Sequence, residues 1–145
     1  MADEISNSED IIDVRNVIER VEELRSEIED ETELLGDHPD EPNTPARQTR
    51  LDNIEALRAE LTPLENLLGE MAGYGGDHQW EGQWYPEMLI RDDYFPTYAE
   101  ELAAEISNVK GAEWPFNCID WQKAAEQLKE DYSCAEFDGV TYWYR

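Results

Sequence analysis

The first half of the chain has no aromatic side chain. Residues 1–73 contain no Phe, Trp or Tyr, and all fifteen aromatic residues of the 145-residue sequence lie from Tyr74 onward. The first half therefore cannot build a mixed aromatic and aliphatic core, and has to bury narrow aliphatic faces of helices. The aromatic second half can supply a core, so the composition predicts ordered structure rather than disorder.

Long apolar runs and cysteine are also scarce. The longest apolar runs, such as Met88-Leu89-Ile90, span three residues, against the roughly 20 of a membrane span. Residues 1–4 lack the basic and apolar regions of a secretory signal. Cys118 and Cys134 are too few and too far apart for a CxxC motif or a disulfide framework, which predicts reduced thiols. These absences predict a cytoplasmic protein.

The sequence has no recognisable catalytic or ligand-binding motif. His38 and His78 lie 40 residues apart without an HxxxH or cysteine partner, and no GxxxxGK, GxGxxG or DxDxDG pattern is present. Paired carboxylates such as Asp92-Asp93 occur by chance when one residue in four is acidic. We therefore expect a protein that is not an enzyme and that has no metal site and no cofactor.

Basic side chains are few. The chain has 36 Asp and Glu against 11 Lys and Arg, which gives a formal net charge of −25. Residues 1–70 hold 21 acidic and 6 basic side chains, and residues 71–145 hold 15 and 5. Such a chain is repelled by nucleic-acid phosphates and by anionic lipid, so its expected partners are basic protein surfaces, without direct nucleic-acid or membrane binding. Solubility alone needs a net charge of magnitude about 2–8.

An apolar stripe predicts a first helix. Apolar residues recur in steps of three and four from Ile11 to Leu35, which places them on one helical face. Ser6 and Glu9 form the expected capping box, and Gly36 is the expected C-terminal stop. The polar face of this helix carries six carboxylates that we predict to contact a partner: Glu22, Glu23, Glu29, Asp30, Glu31 and Glu33.

A second and more regular stripe predicts a second helix. Thr44-Pro45 provides its N-cap and first helical residue, and Pro63 predicts a kink or a restart with Thr62 and Glu65 as a new cap. Two helices alone bury too little surface, so this stripe either pairs with a second copy, which we favour, or covers the C-terminal half as a lid. The predicted dimer seam consists of Ile54, Leu57, Leu61, Leu64 and Leu68.

The predicted fold class is α+β. An N-terminal antiparallel helical hairpin, similar to a coiled coil, precedes a small α+β domain that ends in a β-hairpin. The Gly73-Tyr-Gly-Gly76 break separates the two parts. The predicted boundaries are a disordered acidic tail at 1–7, the helical hairpin and dimerisation element at 8–72, a hinge at 73–79 and the acidic α+β domain at 80–145.

The C-terminal half predicts two helices and a hairpin. The Asp92-Asp93 pair caps a helix that ends near residue 106, and Asn117 or Asp120 opens another. Asp138-Gly139, between two alternating runs, is typical of a type I′ turn. The aromatic segment Trp80–Tyr85 is either part of the core or an exposed docking patch.

Three C-terminal segments resemble a known family. The segments are Tyr98–Ala103 (YAEELA), Cys118–Ala125 (CIDWQKAA) and Phe137–Tyr142 (FDGVTY), within a similarity of about 55 residues. They resemble the closing part of ArdA-type antirestriction proteins and related small phage proteins. The resemblance implies an acidic dimer that mimics duplex DNA and blocks restriction enzymes. It places these acidic residues on the DNA-like surface: Glu100, Glu101, Asp120, Glu126, Glu130, Asp131, Glu136 and Asp138.

Two hypotheses of function follow from these observations. The first is a phage or mobile-element anti-defence protein in the host bacterial cytoplasm, a homodimer that occupies the DNA-binding surface of a restriction or CRISPR nuclease complex. The alternative is an acidic coiled-coil adaptor whose charge is incidental. The two differ in their dependence on salt, because binding through charge weakens as salt rises and binding through an apolar seam does not.

Overall fold

The computed structural model describes residues 4–36, 44–107 and 114–145. The two long helices pack together, and a small antiparallel sheet ending in a β-hairpin follows, which confirms the α+β class. Short 3₁₀ turns occur at Asp92–Tyr94 and Phe116–Cys118. The helices and strands are β1 (Ile11–Asp13), α1 (Val14–Leu35), α2 (Pro45–Met71), β2 (His78–Trp80), β3 (Gln83–Tyr85), β4 (Met88–Arg91), α3 (Phe95–Ser107), α4 (Trp121–Lys129), β5 (Ser133–Phe137) and β6 (Val140–Tyr144).

The N-terminal segment belongs to the main sheet. The sheet is antiparallel with strand order β1-β4-β6-β5, and Ile11 lies opposite Ile90. The prediction that Ile11 belongs to the first helix is therefore wrong. Two consecutive β-branched residues, Ile11 and Ile12, pair with β4 instead, and Asp13 caps α1 by accepting the Arg15 N–H at 2.9 Å. The expected capping box does not open a helix, since it lies in a turn before β1.

The sheet separates two helical layers. Along β6, Tyr142 and Tyr144 are buried in the cluster that includes the apolar faces of α1 and α2. Trp143, which points the opposite way, packs with residues of α3 and α4, including Phe95 and Ala125. The arrangement is therefore α1 and α2, then the sheet, then α3 and α4.

The predicted dimer seam lies inside this arrangement. Ile54, Leu61, Leu64 and Leu68 are 1–7 % exposed, and Leu57 is half-buried against the same cluster. Their neighbours in the cluster come from α1 and from the sheet of the same chain. A seam between two copies through these side chains is thus wrong, because an intramolecular core already covers them. The lid alternative describes their position better.

The predicted domain boundaries also change. Residues 4–7 are tied to the sheet rather than disordered: Ile5 packs on the core, Asn7 Nδ2 donates to the Asp138 carbonyl at 3.1 Å, and Arg91 Nε donates to the Asn7 carbonyl at 2.9 Å. Residues 1–3 lie outside the described residues. Because β1 comes from the N-terminal part, the helical pair and the sheet share one core and are not separate domains.

Several local predictions are confirmed. Gly36 ends α1 with φ +70° and donates to the carbonyls of Thr32 and Glu33. Thr44 caps α2 and Asp120 caps α4 by accepting backbone N–H groups. Asp138-Gly139, with φ +49° and +78°, fits the type I′ turn. The restart at Pro63 does not occur, since α2 runs unbroken from Pro45 to Met71.

The glycine segment after α2 is packed rather than hinge-like. Gly73 donates its N–H to the Trp84 carbonyl at 2.9 Å. Gly75 has φ +74°, and a Cβ placed on it would lie 2.6 Å from the Cα of Pro86. Only glycine combines this backbone conformation with so close an approach of two chain segments.

The Gly75→Ala substitution should therefore destabilise the protein by about 2–4 kcal/mol, since it adds a backbone clash to the cost of a positive φ. The matched control is Gly82→Ala, where φ is +79° but no atom lies within 4 Å of the added Cβ. Its expected cost is about 1–2 kcal/mol. Urea unfolding of both variants measures the difference. Equal losses of stability in the two variants would mean that the backbone near Pro86 makes room for the added methyl group without cost.

Candidate partner-binding surface

Ion pairs flank the apolar contact between α1 and α2. Arg20 binds Glu60 through two hydrogen bonds of 2.5 and 2.8 Å, and Arg50 Nη1 lies 3.3 Å from Glu31 Oε2. These pairs join early α1 to late α2 and late α1 to early α2, so the helices are antiparallel. At 100° per residue, Arg20 and Arg25 lie on opposite flanks of α1, and Arg25 binds Glu65 at 2.6 Å. The helical pair is thus fixed on both sides.

The hairpin of β2 and β3 docks on α1 through Arg25 and Trp80. Arg25 also binds Glu81 at 2.6 Å, and its guanidinium lies 5.1 Å from the centre of the Trp80 ring. Trp80 Nε1 donates to Glu22 at 2.8 Å. In this aromatic segment Tyr85 is 4 % exposed and Trp84 is 48 % exposed. The aromatic rings of this segment are therefore divided: Tyr85 belongs to the core, Trp80 is half-buried against α1 and Trp84 is exposed.

Two adjoining cavities run along the exposed side of α2, and we call them together the α2 trough. Ala56 and Glu60 line both cavities, so the two adjoin. The first, of about 450 Å³, lies between α1 and α2 and is lined by Glu27, Asp30, Glu31, Asn53, Ala56, Leu57 and Glu60. The second, of about 370 Å³, lies between α2, the N-terminal segment and the β5–β6 turn and is lined by Glu4, Ile5, Ala56, Ala59, Glu60, Pro63, Leu64, Phe137 and Asp138.

The trough combines an apolar floor with an acidic rim. Ala56 and Ala59 contribute only methyl groups to the floor. Two of the rim carboxylates, Glu31 and Glu60, are neutralised by Arg50 and Arg20. The other four carboxylates form no ion pair with any described residue, and they are Glu4, Glu27, Asp30 and Asp138. Lys and Arg side chains match such a site, because an aliphatic stem can lie on the floor while the cation meets the rim.

The structure divides the fourteen predicted acidic residues between two sides of the sheet. The group on the α1 and α2 side consists of Glu22, Glu23, Glu29, Asp30, Glu31 and Glu33, and the β5–β6 turn adds Asp138. The group on the opposite side, on α3, α4 and the residues around α4, consists of Glu100, Glu101, Asp120, Glu126, Glu130 and Asp131. Glu136 is exposed on β5 and alternates with the buried Ala135 and Phe137. One surface that contains all fourteen is therefore excluded.

Some of these carboxylates hold the fold together. Asp120 caps α4 and Glu101 accepts the Tyr94 hydroxyl at 3.0 Å. Glu22 accepts the Trp80 indole, and Glu23 pairs with Arg20 at 3.3 Å. Glu29 and Glu33 are exposed on α1 and make no such contact in the described part of the chain. They therefore remain available to a partner.

The perturbed ionisable groups of the α3 and α4 side join structural elements. Hydrogen bonds from Lys129 and from the Trp143 indole, both 2.8 Å, lower the pKa of Asp92. Burial raises the pKa of Tyr98, whose hydroxyl is 2.9 Å from that of Tyr132. Each contact links α3 or the turn before it to α4, to the segment between α4 and β5, or to β6. These ionisable groups therefore stabilise contacts between secondary-structure elements.

The described residues offer little other binding chemistry. Within 4–36, 44–107 and 114–145, no three or more His, Cys, Asp and Glu side chains are grouped to hold a metal ion. Both cysteines are free and exposed. His78 lies in β2, and His38 is outside the described residues. No helix of the described residues has the length and apolarity needed to cross a bilayer.

Comparisons with known proteins gave no match to a family model, to a curated protein or to a solved structure. The resemblance to ArdA-type proteins therefore stays a prediction from the three C-terminal segments.

Proposed function

We propose that this protein is an acidic DNA mimic that inhibits a DNA-binding nuclease complex of a bacterial defence system, of the restriction or CRISPR type. A phage or mobile element would encode it, and it would act in the cytoplasm of the host. The observation that carries the proposal is the α2 trough, an elongated acidic surface with carboxylates that no cation of the described chain neutralises. Positively charged side chains that normally bind phosphates would enter this surface.

A row of carboxylates on α1 accompanies the trough. Glu19, Glu22, Glu29 and Glu33 are exposed and follow helical steps, with Ser26 in the remaining position. The row spans about 21 Å at 1.5 Å per residue, so its four carboxylates are about 7 Å apart on average. One strand of B-DNA carries a phosphate about every 3.4 Å of axis. The spacing in the row is thus about twice that of the phosphates, and the trough supplies a second line of charge.

The charge of α1 is costly to keep. Carboxylates four residues apart repel each other at Glu19/Glu23, Glu23/Glu27, Glu27/Glu31 and Glu29/Glu33, at about 0.2–0.5 kcal/mol per pair. Ion pairs with Arg20 and Arg50 account for Glu23 and Glu31. Glu19, Glu27, Glu29 and Glu33 form no ion pair with a described residue and lie outside the apolar face of α1, so helix packing does not require them. A binding role for the charge explains why the helix carries it. The adaptor hypothesis, by contrast, needs the apolar stripe of α2 for binding, and that stripe is buried within the chain.

The test is competition with DNA. A tagged copy expressed in a defence-bearing bacterium should co-purify with a nuclease complex, and labelled duplex bound to that complex should be displaced competitively by the protein. The displacement should weaken at least tenfold between about 50 and 200 mM salt, because the contacts are ionic. Salt-independent binding, or binding that leaves the DNA in place, would overturn the proposal.

A further inference from the structure

One edge of the main sheet carries unpaired backbone groups. β5 is the last strand in the order β1-β4-β6-β5, so β6 alone pairs with it among the described strands. Phe137 lies opposite Val140 across the two-residue turn, which makes them the closing pair that exchanges both hydrogen bonds. Such pairs alternate along an antiparallel ladder. The N–H and C=O groups of Cys134 and Glu136 therefore point away from β6.

This edge has little of the usual protection against strand pairing. β5 has five residues without Pro or Lys, whereas β1 at the other edge has three. Cys134 and Glu136 are exposed, and no turn or loop backbone among the described residues hydrogen-bonds to them. Two outward N–H groups and two outward carbonyls thus form a template for one added strand.

Carboxylates lie before, within and after the template. Glu130 and Asp131 precede β5, Glu136 lies within it and Asp138 follows it. The second cavity of the α2 trough lies at the Phe137 end and adds Glu4. An extended segment on this edge would therefore meet carboxylates at both ends of β5, with Arg145, next to the Ser133–Tyr144 pair, as a basic side chain at one end.

We propose that β5 binds an extended basic segment of the inhibited protein by strand addition, with the backbone groups of Cys134 and Glu136 as hydrogen-bond partners. The basic character of the segment rests on the proposed function as well as on the charges around β5. Backbone pairing provides a fixed register that charge alone does not, and alternate Lys or Arg side chains of the added strand face the surrounding carboxylates.

A second copy of the chain is a poorer occupant of the edge. Two antiparallel β5 strands would place Cys134 opposite Glu136, without like charges directly facing. Each copy nevertheless brings a net charge of −25, and the resulting repulsion opposes pairing at physiological salt. The same charge attracts a cationic segment.

The test uses a synthetic peptide, acetyl-Lys-Val-Lys-Val-Lys-Val-Lys-amide, and amide hydrogen exchange measured by NMR on the full chain. Saturating peptide should slow exchange of the Cys134 and Glu136 amides at least tenfold, and the inward amide of Ala135 serves as the internal reference. Two further peptides carry N-methyl groups on the backbone: one on the backbone nitrogen of every Val, the other on the backbone nitrogen of every Lys. One of them should lose at least tenfold in affinity and the other should bind as before, because only alternate amides face β5.

Variants of Glu136 separate the backbone from the charge. Glu136→Gln removes the carboxylate and keeps the N–H, and should retain most of the peptide affinity. Glu136→Pro removes both the carboxylate and the N–H, and should lower the peptide affinity at least tenfold more than Glu136→Gln does. Proline is tolerated at this position because the N–H points to solvent on an edge strand. Circular dichroism checks that the variant is folded, and the methylated peptides test the same point without any change to the protein.

Three results would overturn the inference. Equal affinity of the two methylated peptides would show binding by charge alone, and unchanged exchange at Cys134 and Glu136 would show that the edge is not used. Protection that rises with protein concentration in the absence of peptide would assign the edge to a second copy. None of these results decides the DNA-displacement assay, which requires no backbone pairing, so failure of the edge and failure of the proposed function are distinguishable.

Discussion

Neutralising three trough-side carboxylates should weaken binding to the nuclease complex by about 10- to 100-fold. The variant combines Glu27→Gln and Asp30→Asn, which line the trough, with Glu33→Gln in the row on α1. All three lie on the same side of the sheet and form no ion pair with a described residue. Each exposed charge is worth about 0.5–1 kcal/mol in such a contact, so the three together contribute about 1.5–3 kcal/mol. The measurement is the concentration of protein that displaces half of the labelled duplex.

The matched control neutralises three carboxylates on the opposite side of the sheet. It combines Glu126→Gln, Glu130→Gln and Asp131→Asn, so both triple variants have the same net charge of −22, three units less negative than −25. If the trough is the site, the control should inhibit nearly as well as the parent protein. Equal weakening by both variants would point to the net charge of the molecule and against a specific surface.

The same trough-side variant should be more stable than the parent. Glu27→Gln relieves the repulsion with Glu23 and Glu31, and Glu33→Gln relieves that with Glu29, for a gain of a few tenths of a kcal/mol at each pair. Weaker binding together with higher stability excludes unfolding as the reason for lost inhibition. It also indicates that these charges are retained for contact with a partner.

The second large effect concerns the apolar stripe of α2. Leu64→Ala should cost about 2–5 kcal/mol, because Leu64 is 1 % exposed and lies in the cluster shared by α1, α2 and the sheet. This is a large fraction of the 5–15 kcal/mol that stabilises an ordinary domain. The control Leu34→Ala, at a side chain that is 65 % exposed, should cost less than about 0.5 kcal/mol.

Urea unfolding at two protein concentrations, for example 1 and 100 µM, distinguishes a core from a dimer seam. An intramolecular core predicts a midpoint that does not depend on concentration in the parent protein or in Leu64→Ala. A seam between two copies predicts a midpoint that rises with concentration and a rise that the Leu64→Ala variant loses. The second pattern would contradict the packing of α2 described here.

Predictions that depended on adjacent residues were the most accurate. Thr44-Pro45 starts α2, Gly36 ends α1 and Asp138-Gly139 turns the hairpin, as expected from the sequence. Each of these features depends on the backbone preferences of one or two residues and on hydrogen bonds to their near neighbours. Such features are available to sequence reasoning because tertiary contacts are not needed to explain them.

Predictions that depended on distant partners were less accurate. The pattern of Ile11-Ile12 is compatible with a helical stripe and with a strand. It forms a strand because it pairs with β4, which is distant in the sequence. The sequence pattern gives no indication that Asn53, Ala56, Ala59 and Glu60 line a trough. Ala56 and Ala59 stand three residues apart on one face of α2, but small residues indicate a groove only when the walls on both sides are known.

The sequence by itself determined the sign and the amount of charge, the α+β class and most of the helix ends and turns, because ionisation and local backbone preferences belong to single residues and short segments. The tertiary structure decided which carboxylates are neighbours, which arginines neutralise them and which leucines are covered. Burial and electrostatic coupling depend on distances between segments that are far apart in the chain, so these properties arise only when α1, α2 and the sheet pack together.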